Sequence, residues 1–272
     1  MHVIEQFLRS KNGNPDGGDD RIVVTDHFAA VLDGSTSKSD LIDPDVATQI
    51  TQELIENLPP GAKFQKLVGR VTERLHSVFE EHGLLGLISE APRHRSSTTL
   101  AAYSRARREI WLVGDSQARF WGEVYSEDKE IDRITAELRT LWLTLESLAG
   151  TSVEEMVEEG LGRKFIMPLL QQQNRLRALP PEHPWSFGAL DGYPVAEEHL
   201  KVIPVPKSVR EVVLATDGYP VILDTLAETE VRLMEALEED PLCVDQLRGT
   251  KPVQPGAESF DDRAYLRLDV FD

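Results

Sequence analysis

The order of apolar and polar positions predicts short strands interleaved with amphipathic helices. DRIVVTDHFAAVLDG (residues 20–34) predicts two strands joined by a turn, and DPDVATQITQELIENL (residues 43–58) predicts a helix with Pro44 in its first turn. The next segment repeats apolar residues at steps of three and four, which is typical of a helix with one buried face. These residues are Phe64, Leu67, Val68, Val71, Leu75, Val78 and Phe79.

The middle of the chain predicts a three-stranded meander followed by helices. Its strands would be STTLAAYS, EIWLVG and QARFWGEV, with turns at RARR and GDS. A helical segment follows, with one apolar face formed by Ile131, Ile134, Leu138, Leu141, Trp142, Leu145 and Leu148. A second helical segment over 151–179 begins with a Thr/Ser cap, and its middle is weakened by Gly160, Gly162 and Pro168.

The last third predicts a strand from EVVLAT, a helix from ETEVRLMEALEED and a closing strand from RAYLRLDVF. Runs of strands therefore alternate with pairs of helices, rather than one strand alternating with one helix. This order favours an α+β layered architecture over a doubly wound parallel sheet.

Composition narrows the classes of function. The net charge of −18, from 29 basic and 47 acidic residues, argues against nucleic acid or an anionic membrane as the main partner. Cys243 is the single cysteine, so an internal disulfide and a thiolate-rich zinc site are excluded. No apolar run reaches the roughly 18–20 residues of a membrane span, and the N-terminal segment lacks a signal-peptide core. A cytoplasmic protein is expected.

Four turns that contain aspartate lie at the ends of predicted strands. They are Asp19-Asp20, Asp33-Gly34, Asp217-Gly218 and Asp261-Asp262. Each pair alone is more typical of a turn, as Asp191-Gly192 illustrates, to which no metal role is assigned. Four such ends together predict one sheet edge rich in carboxylates, and carboxylate oxygens are the ligands that Mg²⁺ and Mn²⁺ prefer.

The order of these motifs resembles the metal-dependent protein phosphatase family, the type 2C serine/threonine phosphatases, in a bacterial-type divergent form. The matching segments are GGDDRI, FAAVLDG, SSTTLAAYS, IWLVGDSQARFW, VVLATDGYPVI and FDDRAYLRL, in the family's order along the whole chain. The resemblance implies a four-layer α-β-β-α sandwich of two mostly antiparallel sheets flanked by helices. It implies one phosphatase domain over 1–272, with a divergent helical insertion at about 128–179.

The resemblance also implies a set of site residues and an activity. Asp33 would bridge two divalent cations, with the Gly34 carbonyl on one of them. Asp217 and Asp261 would hold the first metal, and Asp20, or Asp19 in its place, would support the second. Two Mn²⁺ or Mg²⁺ ions per chain would lower the pKa of a shared water and produce a bridging hydroxide. That hydroxide would hydrolyse phosphoserine or phosphothreonine in a phosphoprotein, and a cognate kinase is a candidate partner.

Two departures from the family concern the reaction's acid and its phosphate contact. Ser35 stands where many members carry His, Met or Gly, which leaves Ser35 or Thr36 as weak proton relays. Lys38 is an electrostatic substitute or a solvated surface lysine. The family's phosphate-binding arginine is absent at Pro15 and Asp16. The candidates to replace that arginine are Arg9, Lys11 and Arg21.

Two further departures concern the hairpin and the number of metals. Gln117 replaces the arginine that usually follows Gly-Asp-Ser. The second aspartate of the family's Asp-Gly-x-x-Asp segment is also missing, because Val221 stands at its position. This substitution brings a third metal site into question.

Three other classes of protein compete with the phosphatase interpretation. Haloacid dehalogenase-type phosphatases need an aspartyl nucleophile at the position of Val31, which excludes them. Actin-like ATPases and sugar kinases need a spacer between Asp33 and Gly34 and a second phosphate loop, and the chain has neither. A phosphatase-like binding or regulatory module with weak or no activity stays open as the alternative function.

Overall fold

The computed structural model describes residues 1–16, 18–35, 41, 43 and 45–271. The strands are β1 (His2–Arg9), β2 (Arg21–Val24), β3 (Phe28–Ser35), β4 (Ser97–Ser104), β5 (Glu109–Val113), β6 (Gln117–Phe120), β7 (Glu123–Tyr125), β8 (Lys201–Pro204), β9 (Glu211–Ala215) and β10 (Arg263–Asp269). The helices are α1 (Val46–Glu56), α2 (Phe64–Glu81), α3 (Leu85–Glu90), α4 (Glu130–Leu148), α5 (Val153–Glu158), α6 (Leu161–Gln172) and α7 (Leu226–Glu239). Short 3-10 helices cover Pro92–His94, Gln173–Ala178 and Glu197–His199. Thr36, Lys38 and Pro44 lie outside the described residues.

The strands form two five-stranded sheets in which every described pair of neighbours is antiparallel. One sheet has the order β1-β10-β9-β6-β7, and the other has the order β2-β3-β4-β5-β8. Sheets of this kind can bury both faces when each is covered by another layer. Here one face of each sheet meets the other sheet, and the opposite face meets helices.

The two-residue period of the strands divides the core into layers. On β3, Ala29 and Val31 belong to the core between the sheets, whereas Phe28, Ala30 and Leu32 pack with α1 and α2. On β10, residues 264, 266 and 268 lie between the sheets, whereas Tyr265 packs with α7. The predicted α+β, four-layer α-β-β-α architecture is confirmed.

Several sequence predictions agree closely with these elements. The two strands predicted in 20–34 are β2 and β3, and STTLAAYS coincides with β4. All seven residues of the predicted apolar stripe are buried on α2. The helical segment predicted over 151–179 divides at Gly160, whose backbone is left-handed with φ of 60°.

The predicted meander is wrong, because the chain changes sheets after β5. β4 pairs with β5 in one sheet, whereas β6 pairs with β9 in the other, so residues 114–116 cross between the sheets. QARFWGEV is also two strands, since Trp121 and Gly122 form a tight turn with φ values of 52° and 78°. Strands β1 and β8 were not predicted at all.

The apolar face predicted for α4 is not its buried face. Leu141, Leu145 and Leu148 are 57%, 51% and 81% exposed. The buried residues of α4 are Thr135, Ala136, Arg139 and Leu143. Arg139 explains the orientation, because its guanidinium donates to the carbonyl oxygens of Leu242, Cys243 and Gly249 at 2.6, 3.0 and 3.0 Å. These hydrogen bonds turn a charged residue, rather than the leucine stripe, toward the body of the protein.

None of the described helices combines the length and apolar character that a bilayer span requires.

The layer between α2 and its sheet centres on Trp111, which is fully buried and stacks on Phe64 at a centroid distance of 5.3 Å. We expect Trp111→Ala to lower the free energy of unfolding by about 3–5 kcal/mol, because it leaves a large cavity. Trp121→Ala is the matched control, since Trp121 is 63% exposed; its change should stay within about 0.5 kcal/mol. Urea denaturation measures both. Equal losses in the two variants would contradict this assignment of the core.

Candidate metal centre

The site lies at the end of the core between the two sheets. Asp33 has the same strand parity as Ala29 and Val31, so β3 directs it to the inter-sheet side just beyond the apolar core. It pairs in register with Thr99 of β4, whose hydroxyl donates to the Asp33 carboxylate at 3.3 Å. Asp217 follows β9, and the chain reaches Asp115 just after β5. Antiparallel pairing thus brings several strand ends together.

Three carboxylates form a tight group at this end. Asp33, Asp115 and Asp217 each offer an oxygen, and these oxygens all lie within 4.8 Å of one another. Asp115 is 8% exposed, and its Oδ1 is buried without a hydrogen-bond partner among the described residues. Asp33 and Asp217 are predicted from the sequence, but Asp115 is not. The signal for Asp115 is the Gly-Asp-Ser turn, from which the sequence predicts only a hairpin.

The other predicted site residues surround this group. Asp19, Asp20, Gly34 and Asp261 line the same cavity as Asp33 and Asp217. Asp20 is buried and accepts a hydrogen bond from the Thr216 hydroxyl at 2.7 Å. The structure therefore brings every residue predicted as a metal ligand to one cavity, and it adds Asp115 to their group.

Glycine is required at position 34 by a close approach of two chain segments. A Cβ atom there would lie 2.3 Å from the carbonyl oxygen of Asp19, which no side chain could tolerate without a backbone shift. Asp262 holds the same turn, because its carboxylate accepts from the backbone N–H groups of Lys11 and Asp19 at 2.7 and 3.0 Å. Asp262 thus fixes the backbone beside the site, and it also lines the cavity.

Burial and mutual repulsion disfavour the ionised forms of Asp33 and Asp217. Burial raises the pKa of Asp33 well above its usual value, and the charges of Asp20 and Asp115 raise it further. Burial likewise raises the pKa of Asp217, and the charges of Asp33 and Asp115 raise it further. A bound cation would stabilise the ionised forms of these groups.

Two lysines partly offset the negative charge. The Lys129 ammonium lies 2.6 Å from a carboxylate oxygen of Asp115, and Lys251 forms an ion pair with Asp261. Burial alone would lower the pKa of Lys129, but Asp115 and neighbouring acids raise it above the ordinary value. Both lysines line the cavity, so positive charge of the chain itself is present among the acids.

Arginines line the same cavity, whose volume is about 180 Å³. They are Arg93, Arg95, Arg163 and Arg177. Arg95 and Arg177 share the buried Asp191, at 3.2 and 3.0 Å. Arg163 donates to the hydroxyl and carbonyl oxygens of Thr250 at 2.7 and 3.1 Å. Within the described residues, neither Arg93 nor Arg163 has a carboxylate partner within 4.0 Å.

The basic residues suggested from sequence for phosphate contact lie elsewhere. Arg9 pairs with Glu258 at 3.4 Å, Lys11 lies 3.9 Å from Asp262, and Arg21 pairs with Asp45. None of the three is among the described residues that line the cavity. The arginines that do line it come from segments for which the sequence predicted no site residue.

Ser35 and Gln117 are both engaged in hydrogen bonds within the protein. The Ser35 hydroxyl lies 2.7 Å from the Ser97 hydroxyl and 3.1 Å from its carbonyl oxygen. The Gln117 amide donates to the Tyr219 carbonyl at 2.7 Å, which links β6 to the turn after Asp217. No histidine occurs among the described residues of the cavity lining.

The donor set at this end of the core fits a divalent cation. It consists of carboxylate oxygens, one of them buried and unpartnered, gathered within a few ångströms. Hard cations prefer such oxygen ligands and need only a few of them, because they retain water. The described residues therefore include an acidic group that could hold a metal.

Comparison with known proteins identifies the fold. No protein-family model and no curated protein matches the chain. The structure of a bacterial serine phosphatase is similar over 100% of this chain and 99% of that one, at 11% identity and a TM-score of 0.51. The serine/threonine phosphatase Stp1 from Staphylococcus aureus matches over 99% and 95%, at 11% identity and a TM-score of 0.50. The Mycobacterium tuberculosis phosphatase PstP/Ppp matches over 100% of both chains, at 17% identity and a TM-score of 0.48.

The chain therefore has the fold of the bacterial serine/threonine phosphatases. The resemblance to the metal-dependent protein phosphatase family is confirmed at the level of the fold.

The raised pKa values lead to a stability prediction for the metal-free protein. A carboxyl whose pKa rises on folding stabilises the folded state only while protonated, so stability falls as pH increases from about 4. Asp33→Asn removes one such group, and at pH 7 with a chelator we expect its melting temperature to exceed the native one by at least ~2 °C. Asp26→Asn, on an exposed turn, is the control and should change it by less than ~1 °C.

Thermal unfolding followed by circular dichroism from pH 4 to pH 8 measures this difference. The gap between Asp33→Asn and the native protein should widen as pH rises. A gap that is constant with pH, or a less stable variant at pH 7, would contradict the electrostatic account.

Proposed function

We propose that this chain is a metal-dependent phosphatase that hydrolyses phosphoserine and phosphothreonine monoesters in proteins, with Mn²⁺ or Mg²⁺ as its cofactor. The observation that carries the proposal is the composition of one small cavity. The carboxylates of Asp33, Asp217 and Asp261 line it together with Arg163 and other arginines. Divalent cations and a phosphate ester need these two kinds of group side by side.

The residues that would hold the cations are Asp33, Asp217, Asp261 and Asp20, with Asp19 as the alternative to Asp20 and the Gly34 carbonyl as an added ligand. When bound, the cations supply activation of water and neutralise charge on the phosphoryl group. The buried position of Asp20 and its hydrogen bond from Thr216 keep that carboxylate in a fixed orientation. A carboxylate held in one orientation in this way would fix the position of the cation that it binds.

Arg163 and Arg93 are the groups proposed to bind the phosphate oxygens. Both face the cavity without a carboxylate partner among the described residues, so their charge is available to an anion. Hydrogen bonds from guanidinium to phosphate are charge-assisted and orient the ester. Arg95 and Arg177 are less available, because Asp191 already neutralises part of their charge.

The substrate class is proposed from the fold together with the site. The similar structure from Staphylococcus aureus is described as a serine/threonine phosphatase, which favours a phosphoprotein substrate over other phosphate esters. We also propose that residues 1–272 act as one phosphatase unit in which the helical region at about 128–179 selects the substrate. Arg163 of α6 supports this role, because it comes from that region and reaches the cavity. A kinase that phosphorylates the same protein is a proposed partner.

The first test of the proposal is hydrolysis of p-nitrophenyl phosphate and of a phosphothreonine peptide. We expect activity with Mn²⁺, none with a chelator, and at least a ~100-fold loss in Asp33→Asn, because removing a metal ligand removes several kcal/mol of transition-state stabilisation. Asp26→Asn is the matched control and should retain full activity. Turnover in the presence of the chelator would contradict the proposal, and so would an Asp33→Asn variant as active as the native chain. Absence of Mn²⁺ binding would favour a phosphatase-like binding module instead.

A second test concerns the phosphate contact. Arg163→Met should raise KM for the phosphopeptide about 10-fold or more, since a hydrogen bond to a charged group contributes about 1.5–3 kcal/mol. Arg210→Met is the control, because Arg210 is exposed and lines a different surface. Steady-state kinetics and competition by inorganic phosphate measure the effect. An unchanged KM and an unchanged inhibition constant for phosphate would rule out this role of Arg163.

A further inference from the structure

We propose that Lys129 is a built-in cation of the metal centre. Its ammonium group takes the place that a further divalent cation would occupy at Asp115. The native chain therefore binds fewer metal ions than its carboxylates could hold. This inference rests on the metal binding in the proposed function, and it adds a limit on the number of ions that the centre accepts.

The position of Lys129 is fixed by the fold. It immediately precedes α4, and its side chain is only 17% exposed. Its Nζ atom lies 2.6 Å from Asp115 Oδ2 and 3.4 Å from Asp132 Oδ2. Asp132 lies in the first turn of α4, so the ammonium links the start of this helix to the turn that follows β5.

Only one of the two carboxylate oxygens of Asp115 has a partner among the described residues. Its Oδ2 accepts the lysine, while its Oδ1 is buried without a partner in the described part of the chain. The same carboxylate belongs to the group with Asp33 and Asp217. The unpartnered Oδ1 is an oxygen that could bind a cation once the ammonium is removed, because a buried carboxylate oxygen without a hydrogen bond is costly.

Charge balance explains why the lysine would limit metal binding. Asp33, Asp115 and Asp217 together carry three negative charges when ionised, and one ammonium reduces this to two. A further divalent ion on Asp115 would meet the ammonium at close range, in a buried place where like charges repel strongly. Lysine and metal therefore compete for the same carboxylate.

A purely structural role for Lys129 makes a different prediction. If the lysine only tied α4 to the crossing between the sheets, its removal would lower stability and leave the number of bound ions unchanged. The two roles are therefore separated by counting the ions, and loss of stability alone does not distinguish them.

The test is the number of Mn²⁺ ions bound per full-length chain, measured by isothermal titration calorimetry and by metal analysis after equilibrium dialysis. We expect Lys129→Met to bind one more ion than the native protein. Lys129→Arg keeps the charge and should bind the native number. The double variant Lys129→Met/Asp115→Asn should lose the extra ion. Lys164→Met is the control, because Lys164 is exposed on α6.

A second variant keeps the test decisive if Lys129→Met does not fold. Asp115→Asn alone should bind the native number of ions, because Lys129 already excludes a metal from that carboxylate. Loss of an ion in Asp115→Asn would overturn the inference. Equal numbers in the native protein and in folded Lys129→Met would overturn it as well, while leaving the phosphatase proposal intact. Absence of Mn²⁺ binding in every variant would overturn both.

Discussion

The main constraint on this structure is that several carboxylates lie close together at one end of the core between the two sheets. Asp33, Asp115 and Asp217 bring their oxygens within 4.8 Å of one another, and Asp20 is buried beside them. Such proximity destabilises the folded chain when the groups are ionised, since burial and like charges both disfavour the charged forms. Lysine ion pairs, hydrogen bonds from threonines and the cations that we propose offset this cost.

The layers of the fold explain how this arrangement is maintained. Apolar residues fill the space between the sheets up to Val31 of β3 and Leu214 of β9, and the acids Asp33 and Asp217 follow them. α4 is held over the site by buried Arg139, which binds three carbonyl oxygens of the 242–249 segment. The region over 128–179 carries Lys129, Arg163 and Arg177, so it supplies three of the basic residues that line the cavity.

Much of the fold could be predicted from the sequence. Strands β3 and β4 are apolar-rich runs that are buried on both faces, and α2 repeats apolar residues at steps of three and four. The crossing after β5 could not be predicted, since nothing in Gly114-Asp115-Ser116 distinguishes a hairpin from a change of sheet. Asp115 was missed for this reason. The face of α4 was wrong because three hydrogen bonds of Arg139 outweigh a leucine stripe, and periodicity counts only apolar residues.

The central claim is that the acidic end of the inter-sheet core is a divalent metal centre. Anomalous diffraction from crystals soaked in Mn²⁺ tests it most directly, because the signal locates each ion independently of any assay. The account predicts manganese peaks within about 2.0–2.6 Å of carboxylate oxygens of Asp33 and Asp217, with the Lys129 ammonium still on Asp115. Crystals without a peak at these carboxylates, or with manganese bound only at other surface acids, would contradict it.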